Sequence, residues 1–408
     1  MRIMHVVHQF LPEYTGGTEV YVADLAARLQ KRGHQVIVFA GADEPGRRSY
    51  QGTDVEAVPG GLRRGPAANL LASFGDRETE ERFRQVMSEF RPDVVHFHHL
   101  LGLSSRLVRL VQEASAPSCF TLHDYWFMCP KSQLIDHRGS PCTGPRAGVN
   151  CGMCAGERMG RPAWMGLPLA PLLALRERRV RRAVASSEFI LTPSDFVAQM
   201  ALRHGLPQER IRSVRFGVDH TGGDWKKRPP GAPLRVTYLG AIEQSKGVHV
   251  LLEAARVAKG VHVKVYGDPS RYPVYAQRLT AKVARAPVTF MGLAARDEVP
   301  GVLSETDVLV VPSLWYENAP MAIAEAHGAG VPVIASQIGA LPEWVRDGDT
   351  GLLFPPGDAA ALAERLRRLV EEPELLPRLR DTTTRQPAVS REAHVDEMEA
   401  IYRELSSR

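Results

Sequence analysis

Two carboxylates, Glu317 and Glu325, stand with seven residues between them in the run Glu317-Asn318-Ala319-Pro320-Met321-Ala322-Ile323-Ala324-Glu325. The run follows an apolar stretch at 307–313 that reads as a strand. It opens a helix, because Pro320 suits a first helical turn, where its missing N–H costs nothing. The backbone N–H groups around Pro320, those of Asn318, Ala319 and Met321, and the positive end of the helix dipole favour an anion such as a diphosphate. Glu325, about one turn in, could accept two hydroxyls of one ribose, and Glu317, on the loop before the helix, could face a sugar. The alternative is a solvated Glu and a capping Glu on an ordinary surface helix.

Sulfur forms a second constellation. Cys129, Cys142, Cys151 and Cys154 have 12, 8 and 2 residues between them, whereas Cys119 lies alone in an apolar strand and reads as a packing residue. A C-x2-C end is a usual metal knuckle and four thiolates suit tetrahedral zinc, more than an iron–sulfur cluster. Gly139, Gly144 and Gly148 supply the turns that a small metal loop needs. With no open ligand position in such a set, the expected role is structural. Histidines close two strands: His96, His98 and His99 in the first, and His123 in Thr121-Leu122-His123-Asp124. Strand alternation is expected to point the first three to different faces, so packing and loop hydrogen bonds explain them better than a metal. His98 or His99 could line an acceptor cleft. Gly16-Gly17, between the first strand and the first helix, would allow close backbone approach of a ligand.

These groups need a scaffold, and the chain offers two similar ones. Its 408 residues, 44% hydrophobic and 24% charged, suffice for two cores. A net charge of +5 suits an anionic ligand or an anionic membrane surface but is too weak to argue nucleic acid. No apolar run reaches the length of a membrane span, and the N-terminus reads as a first strand rather than a signal peptide. The expected location is therefore the cytoplasm, where disulfides are disfavoured. Strands are predicted near 3–7, 36–39, 94–97, 119–122 and 190–192, then again near 234–239, 261–266, 288–290, 308–311 and 331–335, alternating with helical stretches. Residues 19–30 form the first helix, stopped by Gly33. Such alternation argues an α/β chain of two doubly wound parallel sheets. Ligands bind such sheets beyond the carboxyl ends of their strands, here facing a cleft between domains. The predicted division is 1–219, a polar linker at 220–233, 234–390, and a C-terminal helix at 391–408 that crosses back to the first domain. Trp164 to Leu169, then Leu172 to Leu175 with Arg176, Arg178, Arg179, Arg181 and Arg182, is apolar followed by basic. It fits peripheral contact with an anionic membrane, or a helix with a solvated basic face.

The E-x7-E block, with the following strand, Gly339, Glu343 and Leu352-Leu353-Phe354-Pro355-Pro356-Gly357-Asp358, resembles the donor-binding half of glycosyltransferase family 4. These are retaining nucleotide-sugar transferases of GT-B fold, and the resemblance covers nearly the whole chain. It implies transfer of a sugar from a nucleotide-diphosphate donor, UDP favoured over GDP, to a saccharide, lipid-linked or small-molecule hydroxyl. Cell-surface polysaccharide or glycoconjugate synthesis is the implied setting, with no catalytic metal. It assigns Lys246, in Gly240-Ala241-Ile242-Glu243-Gln244-Ser245-Lys246-Gly247, to the diphosphate leaving group, His123 to the transferred sugar, Glu317 to the sugar hydroxyls and Glu325 to the ribose. Gly16 and Gly17 match the family's first βα loop. Gly267-Asp268 and Met291-Gly292-Leu293 resemble loops that cover the nucleotide, Gly292 and Leu293 through backbone bonds to the base. The sequence departs from the pattern at Ala241, where the family usually carries a basic residue, so one phosphate clamp is missing or comes from elsewhere. Two rival readings are a nucleotide-sugar 2-epimerase of the same fold, which needs an acid–base set not evident beyond His123, and a non-catalytic nucleotide-sugar-binding or assembly module.

Overall fold

Runs of Val, Ile, Leu and Phe four to eight residues long, each followed by a glycine- or polar-rich turn and then a 3.6-period segment, fold as strands buried on both faces. The structure is a computed structural model, and it describes residues 1–60, 65–219, 225–282, 286–385 and 388–408. It divides into two units: Met1–Arg138 with Cys142–Arg215 and Glu392–Arg408, and Phe216–Arg391 with Gly139–Pro141.

The first unit carries β1 (Arg2–Val7), β2 (Gln35–Ala42), β3 (Gly46–Tyr50), β4 (Thr53–Pro59), β5 (Val94–Phe97), β6 (Ser118–Thr121), β7 (Phe189–Thr192) and β8 (Ile211–Ser213). They form one sheet in the order β3-β4-β2-β1-β5-β6-β7-β8. Every pairing is parallel except β3 with β4, which is antiparallel. The second unit holds β9 (Leu234–Leu239), β10 (Val261–Tyr266), β11 (Val288–Gly292), β12 (Val308–Val311), β13 (Val333–Ser336) and β14 (Gly351–Phe354), all parallel, in the order β11-β10-β9-β12-β13-β14. Strand order reverses between β1 and β5 in the first sheet and between β9 and β12 in the second. In a doubly wound fold these reversals open the crevices where ligands bind.

Strand β13 starts at Val333 rather than at 331, because Pro332 has no N–H to give the ladder. The C-terminal helix, Arg391–Ser406, turns Val395, Met398, Ile401, Tyr402 and Leu405 into one core with Ile3, Leu25, Cys119 and Phe189 of the first unit. Arg32 clamps the exposed side of that helix through Glu392, Asp396 and Glu399, at 2.7, 2.6 and 3.1 Å. Of the expected linker, 220–224 lie outside the described residues. The remainder lies along the second unit: Lys226 N–H donates to Ser304 O at 2.9 Å, and the Arg380 guanidinium sits 4.1 Å from the Trp225 ring centroid.

Candidate active site

In the second unit the two loops that leave β9 and β12 touch backbone to backbone. Gly247 has φ +69°, and a Cβ there would lie 1.9 Å from Pro312 O, so only glycine allows this approach. Leu314 N–H donates to Ser245 O at 2.8 Å. The contact carries Lys246 to Glu317: Nζ donates to Oε1 at 2.7 Å. The same oxygen accepts from Ser313 Oγ at 2.6 Å and from Trp315 Nε1 at 2.9 Å. Lys246 Nζ also lies 4.7 Å from the Trp315 ring centroid, a cation–π distance. Glu317 is buried. Gly339, at φ +59°, props the loop from behind, since a Cβ there would meet Tyr316 Cα at 2.8 Å and Glu317 N at 2.9 Å. Ala340 N–H donates to Glu317 O at 3.1 Å.

The helix itself is Met321–Gly328, and Pro320 is its N-cap, not a residue of its first turn. Its carbonyl already accepts from the N–H groups of Ile323 and Ala324, at 2.9 and 3.2 Å, while φ −76° and ψ 83° are not helical. No side chain caps this end, so the run through Asn318, Ala319 and Met321 keeps its anion-binding character. Glu325 lies one turn further on, half-buried. Burial pushes its carboxyl up, opposed by Arg296 and Arg391 and reinforced by Asp219. The loops after β9, β10 and β11 are stitched together: Gly240 N–H donates to Tyr266 O at 3.1 Å and Gly267 N–H to Gly292 O at 2.8 Å. A Cβ on Gly267 would lie 2.2 Å from Gly240 O. Beyond them Leu293 is 73% exposed. Ala241 O accepts from Tyr238 Oη at 2.7 Å.

In the first unit, the strand ends around the β1/β5 reversal gather histidines. His96 and His98 share a face instead of diverging, because they are two apart on one strand, and their ring centroids are 3.8 Å apart. His5, on the neighbouring β1, shares a hydrogen bond from Nδ1 with His98 Nε2 at 2.9 Å. His98 Nδ1 shares one with His123 Nε2 at 3.0 Å. Ligand atoms of His5, His96 and His98 lie within 4.8 Å of one another. Both ring nitrogens of His96 are engaged, by Tyr402 Oη at 2.6 Å and Thr121 Oγ1 at 2.7 Å. With both nitrogens of His98 also engaged, the trio is a hydrogen-bonded wire rather than a metal cage. Burial holds His5 and His123 down to about 3, and His96 and His98 well below the usual imidazole range, so all four rings are neutral at pH 7. His99 turns the other way and pairs with Asp124 Oδ2 at 2.9 Å. Gly16 makes room for a carboxylate: a Cβ there would lie 2.3 Å from Glu19 Oε2, and Glu19 is itself buried 3.4 Å from His8 Nε2. Gly17 has open space around its Cα.

After Asp124 the chain winds into the cysteine loop. Gly139, Gly144 and Gly148 all adopt positive φ, at 82°, 112° and 81°. Cys129 is buried, and Cys142, Cys151 and Cys154 are half-buried. Burial pushes the Cys151 thiol up to about 12 and the Cys154 thiol up to about 11, with the neighbouring thiols adding to it. Helix Val149–Arg158 carries Gly152 and Gly156 against residues 163–166. A Cβ on Gly166 would lie 2.0 Å from Gly152 O, so the two segments pack at backbone contact. That contact fixes the Trp164–Leu169 stretch and leaves Trp164 and Leu167 exposed.

Sequence reasoning missed Ser313, Trp315 and Gly339 as supports of Glu317, and Arg296 as a cation near Glu325. The first two were open to discovery, standing four and two residues before Glu317.

Comparison with known proteins finds related sequences and folds. Residues 15–221 match the family described as Glycosyltransferase Family 4, and residues 233–372 match Glycosyl transferases group 1. A glycogen synthase of Mycobacterium tuberculosis is 26% identical over 380 residues, covering 91% of this chain and 87% of that protein. A D-inositol 3-phosphate glycosyltransferase of Mycolicibacterium smegmatis is 27% identical, covering 89% and 81%. Among solved structures, a sucrose-phosphate synthase from Thermosynechococcus elongatus superposes with a TM-score of 0.71 at 20% identity over the full length of both chains. The Anabaena protein HepE in complex with UDP gives 0.71 at 16% identity, covering 99% of this chain and 100% of the other.

Proposed function

Because the chain belongs to glycosyltransferase family 4, we propose that this glycosyltransferase retains anomeric configuration and takes its sugar from a nucleotide-diphosphate donor, UDP ahead of GDP. The acceptor is a hydroxyl in cell-surface polysaccharide or glycoconjugate synthesis. The observation that carries the reading is the Lys246–Glu317 pair at the β9/β12 reversal, beside a helix start that no side chain caps. Lys246 is half-buried and needs an anion; Glu317 supplies it until a diphosphate arrives. Lys246 and the N–H groups of Asn318, Ala319 and Met321 then stabilise the leaving phosphate as the anomeric C–O bond breaks. Glu317, still oriented by Ser313 and Trp315, accepts sugar hydroxyls, and Glu325 accepts those of the ribose. The acceptor oxygen bonds to the anomeric carbon on the face the phosphate leaves, and the acceptor proton passes to that phosphate. This route needs no catalytic metal, because the positive charge comes from Lys246 and the helix start.

His123 hydrogen-bonds the sugar or the developing charge as a neutral imidazole. In the wire, His5 Nε2 has no hydrogen-bond partner among the described residues. A buried acceptor without a partner is more tolerable than a buried N–H without one. Protons therefore sit on His5 Nδ1 and His98 Nδ1, and His123, accepting at Nε2, carries its proton on Nδ1. UDP is favoured because the Anabaena fold relative was solved with UDP.

A peripheral place on the cytoplasmic face of a membrane, suited to a lipid-linked acceptor, is supported by exposed Met159, Trp164, Met165, Leu167 and Leu175 beside exposed Arg158, Arg161 and Arg178. No helix among the described residues is long and apolar enough to cross a membrane. The test of function is incubation with a panel of nucleotide sugars, following slow donor hydrolysis or transfer. Turnover with retained configuration is expected. Binding of every donor without turnover would indicate a binding module, and release of an epimerised sugar would indicate a 2-epimerase.

A further inference from the structure

We propose that Cys129, Cys142, Cys151 and Cys154 hold one zinc ion as a tetrathiolate site that fixes the loop after His123. The loop is built to serve thiolates. Asn150 offers a donor to one sulfur: its Nδ2 donates to Cys142 Sγ at 3.4 Å. Asn150 is itself fixed by Gly144 O and Arg146 N–H, both at 2.8 Å. Cys151 and Cys154, three apart on one helix, lie on one side of it while Gly152 and Gly156 pack against the 163–166 backbone.

The charge environment agrees. Arg176 is buried, donates Nη1 to Trp126 O at 2.7 Å, and stands by Cys129 and Cys151. Lys131 stands by Cys154. A buried guanidinium is costly beside neutral thiols but well matched to a tetrathiolate zinc site, whose net charge is about −2. No three of the four sulfurs lie within 4.8 Å of one another, whereas zinc–sulfur bonds of about 2.3 Å bring sulfurs closer than that. The ion supplies the closure: it deprotonates the thiols and draws them in. Its effect reaches His123 through short links. Cys129 N–H donates to Tyr125 O at 2.7 Å, and Trp126 N–H to Asp124 Oδ1 at 2.7 Å.

Elemental analysis of the full chain, purified without added metal, should give about one zinc per chain. The four thiols should resist a disulfide reagent until a mercurial displaces the ion, with zinc release read by a colorimetric chelator. Cys151→Ser and Cys154→Ser should each retain zinc at least about tenfold less well against a competing chelator, while Cys119→Ser should match wild type. Less than about a tenth of an equivalent of zinc with four freely titrating native thiols, an iron centre absorbing in the visible, or a disulfide found by mass spectrometry would each overturn the site. Those readouts use the unmutated protein, so a variant that fails to fold does not protect the idea. A fall in turnover on zinc removal rests additionally on the transferase reading; the stoichiometry does not, so the two can fail separately.

Discussion

At the scale of the residue, one oxygen organises the donor side. Glu317 Oε1 takes three donors, from Lys246, Ser313 and Trp315, so its carboxylate is oriented before any ligand arrives. Glu317→Gln should lower kcat strongly and leave the affinity for bare UDP near wild type, whereas Glu325→Ala should weaken UDP binding by about 1–3 kcal/mol, the cost of a lost buried partner. Calorimetry decides: equal UDP affinity in Glu325→Ala and wild type would remove Glu325 from the ribose. The histidine wire makes a different claim. His98 is fully buried and holds His123 in one tautomer, which makes it a positioning residue. His98→Phe should depress kcat without changing UDP affinity, and His98→Gln, which can still accept and donate, should recover part of the loss. A His98→Phe enzyme with normal kcat would show that the wire only fills the core.

At the scale of the element, glycines set the loops that present these groups. Gly339 lies far along the chain from Tyr316, yet a Cβ at 339 would press on the Tyr316 and Glu317 backbone from a left-handed φ. Gly339→Ala should therefore cost about 1 kcal/mol or more of stability and displace Glu317. The expected outcome is a folded protein with impaired kcat, checked by circular dichroism beside kinetics; unchanged kinetics would mean the loop has slack. What could be read from sequence follows the same division between local and distant causes. Strand β1, the first helix and the E-x7-E block announce themselves by short-range pattern, and so does the parallel, doubly wound character of each half. Strand β3, Gly-Arg-Arg-Ser-Tyr, has no apolar alternation and exists because it pairs with β4; β8, three residues long, is below any periodic signal. Pro320 reads as a first-turn residue because proline favours that position, and only its non-helical ψ places it at the cap. The shared face of His96 and His98 was present in the spacing, but their coupling through His5 required knowing that β1 lies beside β5.

At the scale of the whole molecule, the two units should answer acid differently. In the first, burial depresses His5, His8, His96, His98 and His123 below the ordinary imidazole value. Unfolded, each would take up a proton near pH 6.5; folded, none does until the pH is far lower. The unfolded chain therefore binds more protons below 6.5, and stability is lost as pH falls from there toward about 3. Each such ring costs up to about 1.4 kcal/mol per pH unit in that window, so several together can exhaust the margin of a domain. Glu19 and Glu397 work the other way, because burial raises their carboxyls, but they are two groups against five. In the second unit His327 is held down to about 4 and adds a smaller loss of the same sign. Acid unfolding should accordingly begin in the first unit. Urea titrations at pH 7.5 and 5.5 should show a lower midpoint at pH 5.5, and limited proteolysis at pH 5.5 should cut first within 1–215. Equal midpoints at the two pH values would mean that these rings are already charged or already in contact with water in the folded protein, and the wire that sets His123 would go with them.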